Sequence, residues 1–424
     1  MPESRRLPES RLGRFARLAA MGVRTGAGML VDPRGSAAAE HAAEVLGHLR
    51  GLAAKVGQMA SYVDGLVPEA QAPAFEASLK ALRAQAPRSS PESIRALVEQ
   101  ELRAPIDALF AEWDDVPIAS ASIGQVHRAR LHDGAEVAVK VQHPGIARAV
   151  ESDLSNASFL ESFVGVLGGR RFDSKAMLAV VQARFREELD YEREARNIEA
   201  FATLHRGDPT IVVPALVPSR SSARVLTTEL ARGATFEQAC EAPESEREAW
   251  ARSLWRFVFK GTLVGGLLNA DPHPGNYVFH DGGRITFLDY GCIQPIGGRR
   301  QTAGMVHRAA LARDEEAFAR AVTIMVASKP GPLEDLAVRY TRKCFAILFE
   351  SPYRVTKPFA ASLVDGMREM ALVARKVSDA EFFTMPAEML FVNRLQFGFY
   401  SVLARLDVKV DYAEVERGFI PGAE

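Results

Sequence analysis

Two short acidic motifs on either side of one hairpin, Asp271-Pro-His-Pro-Gly-Asn276 and Asp289-Tyr290-Gly291, limit what this chain can fold into more than any other feature. Tyr277 to His280 reads as a strand, Asp281-Gly282-Gly283 as a tight turn, and Arg284 to Leu288 as a second strand. Such a hairpin delivers both motifs to one point. A carboxylate and an amide on adjoining loops suit Mg²⁺, which takes oxygen ligands in near-octahedral geometry and keeps waters and phosphate oxygens among them. Alone, each motif also reads as an ordinary turn, since Pro and Gly stiffen and close loops without any metal. The decision rests on what lies upstream.

A second hairpin lies there, with strands Val126 to Leu131 and Glu136 to Val141 joined by His132-Asp133-Gly134. Period-two alternation puts Val137, Val139 and Val141 on one face and Ala138 and Lys140 on the other. A lysine on an edge strand is most simply explained by solvent. With the acidic loops downstream in the right order, it instead resembles the Val-Ala-Ile-Lys strand of protein kinases, whose lysine contacts the α- and β-phosphates of ATP, and Asp271, Asn276 and Asp289 resemble a catalytic base and two metal ligands. Where a kinase carries its Gly-rich loop, this chain reads Ala119-Ser120-Ala121-Ser122-Ile123-Gly124-Gln125-Val126. Residues with a Cβ visit positive φ less freely than glycine, so such a loop approaches phosphates differently. Val225 to Thr228 reads as a further strand, and Glu229-Leu230-Ala231-Arg232-Gly233 resembles the hinge whose backbone contacts adenine.

Lys55-Val56-Gly57-Gln58, Glu188-Leu189-Asp190, Glu194 and the Ala-rich loop, in this order and followed by the acidic motifs, resemble the UbiB (AarF, or ABC-one) family of atypical kinases. Ser120 departs from the family's run of alanines but keeps its small size. The resemblance implies an α+β, two-lobed protein-kinase-like fold with an N-terminal helical extension (1–112), a strand-rich N-lobe (113–231) and a largely helical C-lobe (232–424). It further implies that Lys55 and Gln58 close the cleft, with Lys55 facing Glu188 and Asp190. Lys140 would pair with Glu194, or with Glu188 as the rival, and Asp190 and Glu194, four apart, are expected to share one helix face. Asp271 would orient or deprotonate the nucleophile, and Asn276 and Asp289 would hold Mg²⁺. Ala119, Ser120, Ala121, Ser122, Ile123, Gly124, Val126, Ala138, Glu229, Leu230 and Ala231 would line the ATP (or ADP) site. Support of isoprenoid-quinone biosynthesis at the membrane is implied as well, with an isoprenoid lipid, an anionic membrane surface and quinone-biosynthesis enzymes as partners.

Composition narrows the alternatives. With 424 residues, 47% of them hydrophobic, the chain can bury a large core. A net charge of -1 gives no overall footprint for nucleic acid, and Cys240, Cys292 and Cys344 are too scattered for a metal-spaced pair and suit a reducing cytosol. No stretch reaches the roughly twenty apolar residues that span a bilayer. Leu254 to Leu268, interrupted by Arg256 and Lys260, reads as a buried helix leading into Asn269, and Ala387 to Arg405 as a packed one. Pro91 to Glu101 reads as a helix capped by Ser90. Near the start, Arg5, Arg6, Arg11, Arg14, Arg17 and Arg24 oppose an apolar face of Leu12, Phe15, Ala16 and Ala19. That pattern fits a helix lying on an anionic membrane, a mitochondrial presequence, or a basic start to an ordinary packing helix. After Gly291 the chain passes into a helix from Arg299 with no long activation segment and no Ala-Pro-Glu anchor, which disfavours peptide phosphorylation. Three functions remain: an Mg²⁺-ATP-dependent atypical kinase or ATPase, a nucleotide-sensing pseudokinase, and a small-molecule phosphotransferase.

Overall fold

A computed structural model describes residues 89–120, 123–154, 183, 186–327, 330–374 and 398–420. Lys55, Gln58, the basic N-terminal segment, Ala121, Ser122 and the first part of the stretch from Ala387 lie outside these residues. The chain divides into two units. The described part of the smaller one comprises 89–94, 117–120, 123–125 and 142–154; the larger comprises Arg95–Val116, Val126–Val141 and the described residues from 183 onward.

Helix α1 (Pro91–Leu102) begins at the expected proline, and the Ser90 hydroxyl accepts a hydrogen bond from the Ser93 N–H at 3.3 Å, satisfying one donor of its open first turn. Strands β1 (Glu112–Trp113), β2 (Ala119–Ser120), β3 (Gly124–Arg130), β4 (Glu136–Gln142) and β6 (Val225–Glu229) make one sheet in the order β1-β3-β4-β6, with β2 beside β3. The valine alternation works as read: Val137, Val139 and Val141 are buried while Ala138 and Lys140 are half-buried on the opposite face. Helix α2 (Ile146–Leu154) follows β4 in the smaller unit.

In the larger unit, α3 (Tyr191–Leu204) precedes β5 (Ile211–Val212), and after β6 come α4 (Phe236–Cys240) and the long α5 (Glu244–Leu263). The α5 helix buries Trp250, Leu254, Trp255, Phe257 and Val258. Phe257 stacks on Phe287 at 3.6 Å between ring centroids, and Trp255 lies 4.5 Å from Tyr412. The helix stops five residues short of the expected Leu268. Gly266 takes φ +68° and its N–H returns to the Thr262 carbonyl at 3.1 Å, a left-handed ending that glycine adopts without steric cost. The chain then extends as β7 (Leu267–Asn269), antiparallel to β10 (Ile293–Pro295), while β8 (Tyr277–Phe279) and β9 (Ile285–Phe287) form the expected hairpin, with β5 parallel to β9.

Helices α6 (Arg299–Leu311), α7 (Glu315–Val326), α8 (Pro332–Cys344), α9 (Lys357–Ala374) and α10 (Tyr412–Arg417) complete the unit, with a short β11 (Tyr353–Arg354) and β12 (Lys409–Val410) pair. Residues 398–406 are helical, with Phe399, Tyr400, Val402 and Leu403 buried. Among the described residues, no helix is long and apolar enough to cross a membrane.

Candidate nucleotide site

Lys140 is the centre of the site. Its Nζ lies 2.8 Å from both carboxylate oxygens of Glu194, whose side chain is only 3% exposed, and 5.1 Å from the centre of the Tyr191 ring. Burial alone would lower the lysine's affinity for its proton, but the carboxylates of Glu194 and Asp289 outweigh it and hold the ammonium well above its ordinary range. Burial pushes Glu194 upward, against the pull of Lys140. The pair is a fixed cation braced by a buried carboxylate, with a second carboxylate near enough to act on both.

Of the two glutamates read as partners, Glu194 is the one bonded to Lys140. The reason differs from the expected shared face. Asp190 precedes α3 as its N-cap, accepting from the Arg193 N–H at 2.8 Å, so it lies outside the helix rather than on a face with Glu194. Glu188 is helical but lies before Leu189 and Asp190, which interrupt the helix ahead of α3. Starting α3 at Tyr191 places Glu194 in its first turn, where a carboxylate also complements the helix dipole.

The two acidic loops meet as the hairpin predicts. Asn276 closes a short turn at Pro274–Asn276, and its Nδ2 donates to the Asp271 carboxylate at 3.3 Å and carbonyl at 3.4 Å. With its nitrogen so engaged, the amide leaves Oδ1 as the atom able to ligate a cation. The Leu288 N–H donates to the Asn276 carbonyl at 2.9 Å, tying the loops together one residue before Asp289. Asp289 accepts the Gly291 N–H at 2.9 Å, and a Cβ at Gly291 would stand 3.5 Å from Glu194 Oε2, which puts the Asp289 loop against the Lys140 partner. A carboxylate and an amide oxygen on bonded loops are a donor set suited to Mg²⁺, with its remaining ligands left to phosphates and water.

At the hinge segment, the Glu229 N–H bonds the Ala215 carbonyl at 2.8 Å and the Leu230 N–H bonds the Glu136 carbonyl at 3.0 Å, so those two donors are used within the fold. The Ala231 backbone makes no hydrogen bond among the described residues. Gly233 then passes the β8 strand so closely that a Cβ would meet the Phe279 carbonyl oxygen at 2.5 Å. Val126 and Ala138 belong with Lys140 to the larger unit, whereas Ala119, Ser120, Ile123 and Gly124 belong to the smaller, where Ile123 and Gly124 are buried.

Three residues of this network escaped sequence reasoning. Asn197, on α3, donates to the Tyr290 carbonyl at 2.8 Å, and Arg193 to the Ile293 carbonyl at 3.2 Å, so the helix that supplies Glu194 also grips the Asp289 loop. Asn269 accepts the Asp271 N–H and donates to the Asp289 carbonyl, both at 3.1 Å. Their only sequence signal was proximity to the motifs.

The model of the ABC1 atypical kinase-like domain matches residues 81–322. The chain belongs to that family. This ABC1 chain is 31% identical over 313 residues to "Atypical kinase COQ8B, mitochondrial" of Rattus norvegicus, covering 69% of itself and 58% of that protein. It is 34% identical over 256 residues to "AarF domain-containing protein kinase 1" of Mus musculus, covering 58% and 47%. It spans about half the length of the curated relatives it matches. Among solved structures, the complex of Rv3197 with erythromycin from Mycobacterium tuberculosis superposes with a TM-score of 0.62 at 26% identity, over 96% of this chain and 99% of that one. Mixed helix and antiparallel sheet in the two-lobed kinase-like arrangement is therefore the fold of the ABC1 chain.

Proposed function

We propose that this ABC1 chain binds Mg²⁺-ATP and turns it over as an atypical kinase or ATPase whose acceptor is water or a small hydroxyl compound rather than a peptide. The observation that carries this reading is the Lys140 ammonium, held 2.8 Å from both oxygens of a buried Glu194 and in the field of Asp289. A lysine so braced cannot swing to solvent and is pre-set for α- and β-phosphate oxygens. Mg²⁺ would supply charge neutralisation at the phosphates when bound, and Asn276 and Asp289 would hold it. Asp271, whose carboxylate accepts from Asn276 Nδ2, would take the acceptor's proton. Ala231 offers the adenine edge a backbone donor and acceptor.

Lys55 and Gln58 would close the site from an N-terminal extension at 1–112, ahead of lobes at 113–231 and 232–424, with Glu188 and Asp190 facing Lys55. The family likeness further supports a role in isoprenoid-quinone biosynthesis or lipid handling at an anionic membrane surface. Comparing quinone content of the host with and without the gene tests that role, and equal content contradicts it. For the nucleotide, titration calorimetry of ATP into the wild-type chain and Asp289→Asn, with Mg²⁺ and with EDTA, is decisive. Binding that gains strength from Mg²⁺ only when Asp289 is present supports the site; equal binding in both chains overturns it. The Ala/Ser loop favours a second reading, a pseudokinase, distinguished by Mg²⁺-dependent binding without phosphate release.

A further inference from the structure

The two acidic loops run between the same two ribbons, since β7 pairs with β10 and β8 with β9. Their backbones are bonded to each other near both ends. Ala270 N–H donates to the Cys292 carbonyl at 3.0 Å, and Leu288 N–H to the Asn276 carbonyl at 2.9 Å. Between these points lie Asp271 on one loop and Asp289 on the other, and the Asn269 side chain spans the interval. Its Oδ1 accepts the Asp271 N–H and its Nδ2 donates to the Asp289 carbonyl, each at 3.1 Å.

We infer that Asn269 is a positioning residue that sets the separation of Asp271 from Asp289 and thereby the strength with which the site holds Mg²⁺. The inference rests on the Mg²⁺-nucleotide reading above. A primary amide suits this job in so short a reach, because one planar group presents an acceptor to an N–H and a donor to a C=O. Aspartate lacks the donor, leucine of nearly the same size lacks both groups, and glutamine carries both on a longer arm. The neighbours also fix which way the amide faces, since an N–H can only donate and a C=O only accept.

The backbone around Asn269 is itself held. It sits opposite Ile293 in the β7–β10 register, and the Ile293 carbonyl receives Arg193 from α3 at 3.2 Å. On the far side of Asp289, the Tyr290 carbonyl receives Asn197 of α3 at 2.8 Å. The carbonyls of Asp289 and Tyr290 are therefore gripped by two asparagines, one from the base loop's strand and one from the helix that supplies Glu194. Loss of Asn269 frees the Asp289 peptide on the side of Asp271 while Asn197 still holds Tyr290.

The test measures ATP binding by the full chain as Mg²⁺ is raised from zero in EDTA-treated solution, for the wild type, Asn269→Leu, Asn269→Gln and Asp289→Asn. Removal of an outer partner of a metal ligand typically weakens the metal by about 10–100-fold. Asn269→Leu is expected to raise the Mg²⁺ concentration for half-maximal enhancement of binding by about tenfold or more, with metal-free ATP binding unchanged. Asn269→Gln is expected to fall between it and the wild type. If the leucine variant does not fold, the glutamine variant decides by the same criteria. An unchanged Mg²⁺ requirement in the folded variants, beside a lost one in Asp289→Asn, overturns the inference and leaves the nucleotide site standing. Metal-free and Mg²⁺-supported binding falling together, with a lowered melting temperature, also overturns it, since that marks a structural role. A wild type with no Mg²⁺-dependent binding overturns both.

Discussion

At the scale of single residues, Lys140 and Glu194 depend on each other. Glu194 is 3% exposed, and an ionised carboxylate in that position is tolerable only beside a cation. Lys140→Met keeps much of the side-chain volume and removes the cation, and is expected to cost roughly 3 kcal/mol at neutral pH, the low end for a buried pair because Lys140 is itself 25% exposed. The cost has a pH signature. Burial raises Glu194 above its unfolded value, so the folded state holds that proton more tightly than the unfolded chain and stability falls as pH rises through that interval. Without Lys140 the interval widens upward. The deficit of Lys140→Met against the wild type should therefore be largest at high pH and shrink as pH falls through the folded value of Glu194. Urea midpoints from pH 8 down to 5 check this, and a deficit independent of pH contradicts it.

At the scale of elements, α3 and the segment 229–233 each carry a testable constraint. Asp190 is the cap of α3, and a cap exchanged for alanine typically costs about 1 kcal/mol. Asp190→Ala should lose about that much, whereas Asp190→Ser, which can still accept the Arg193 N–H, should lose little. Measuring ATP turnover in the serine variant then separates two roles: activity kept with stability marks a cap, and activity lost with stability kept marks a charge needed by the chemistry. In the segment 229–233, Gly233 admits no side chain, because a Cβ would meet the Phe279 carbonyl at 2.5 Å and Val278 Cγ1 at 2.8 Å. Gly233→Ala must part the hinge from β8 and is expected to destabilise by at least about 1–3 kcal/mol. Gly298→Ala, where nothing lies within 4 Å, should be near neutral. Thermal melts of the two variants check the contrast, and equal melting temperatures contradict it.

At the scale of the whole molecule, the division between what sequence revealed and what it concealed follows from locality. The β3–β4 and β8–β9 hairpins, the buried valines of β4 and the convergence of Asp271, Asn276 and Asp289 were legible because alternation, turn residues and short spacing are encoded within a few positions. The end of α5 at Leu263 was missed because its apolar run continued past the Gly265-Gly266 pair, and burial in β7 looks in sequence like burial in a helix. Asp190 was misread as a helix-face residue because a cap and a first-turn acid share the same composition. Asn197 and Asn269 were hidden for a different reason. Each acts across about twenty to a hundred residues of chain, on a backbone carbonyl whose identity carries no sequence mark.

We propose that these parts, gathered around Lys140, process Mg²⁺-ATP. Phosphate release from Mg²⁺-ATP by the purified chain, with and without anionic liposomes and beside Asp289→Asn, tests it most directly. Release by the wild type that is abolished in the folded Asp289→Asn variant is the predicted result. Equal release by the two chains, or none from the wild type in any condition, would contradict it.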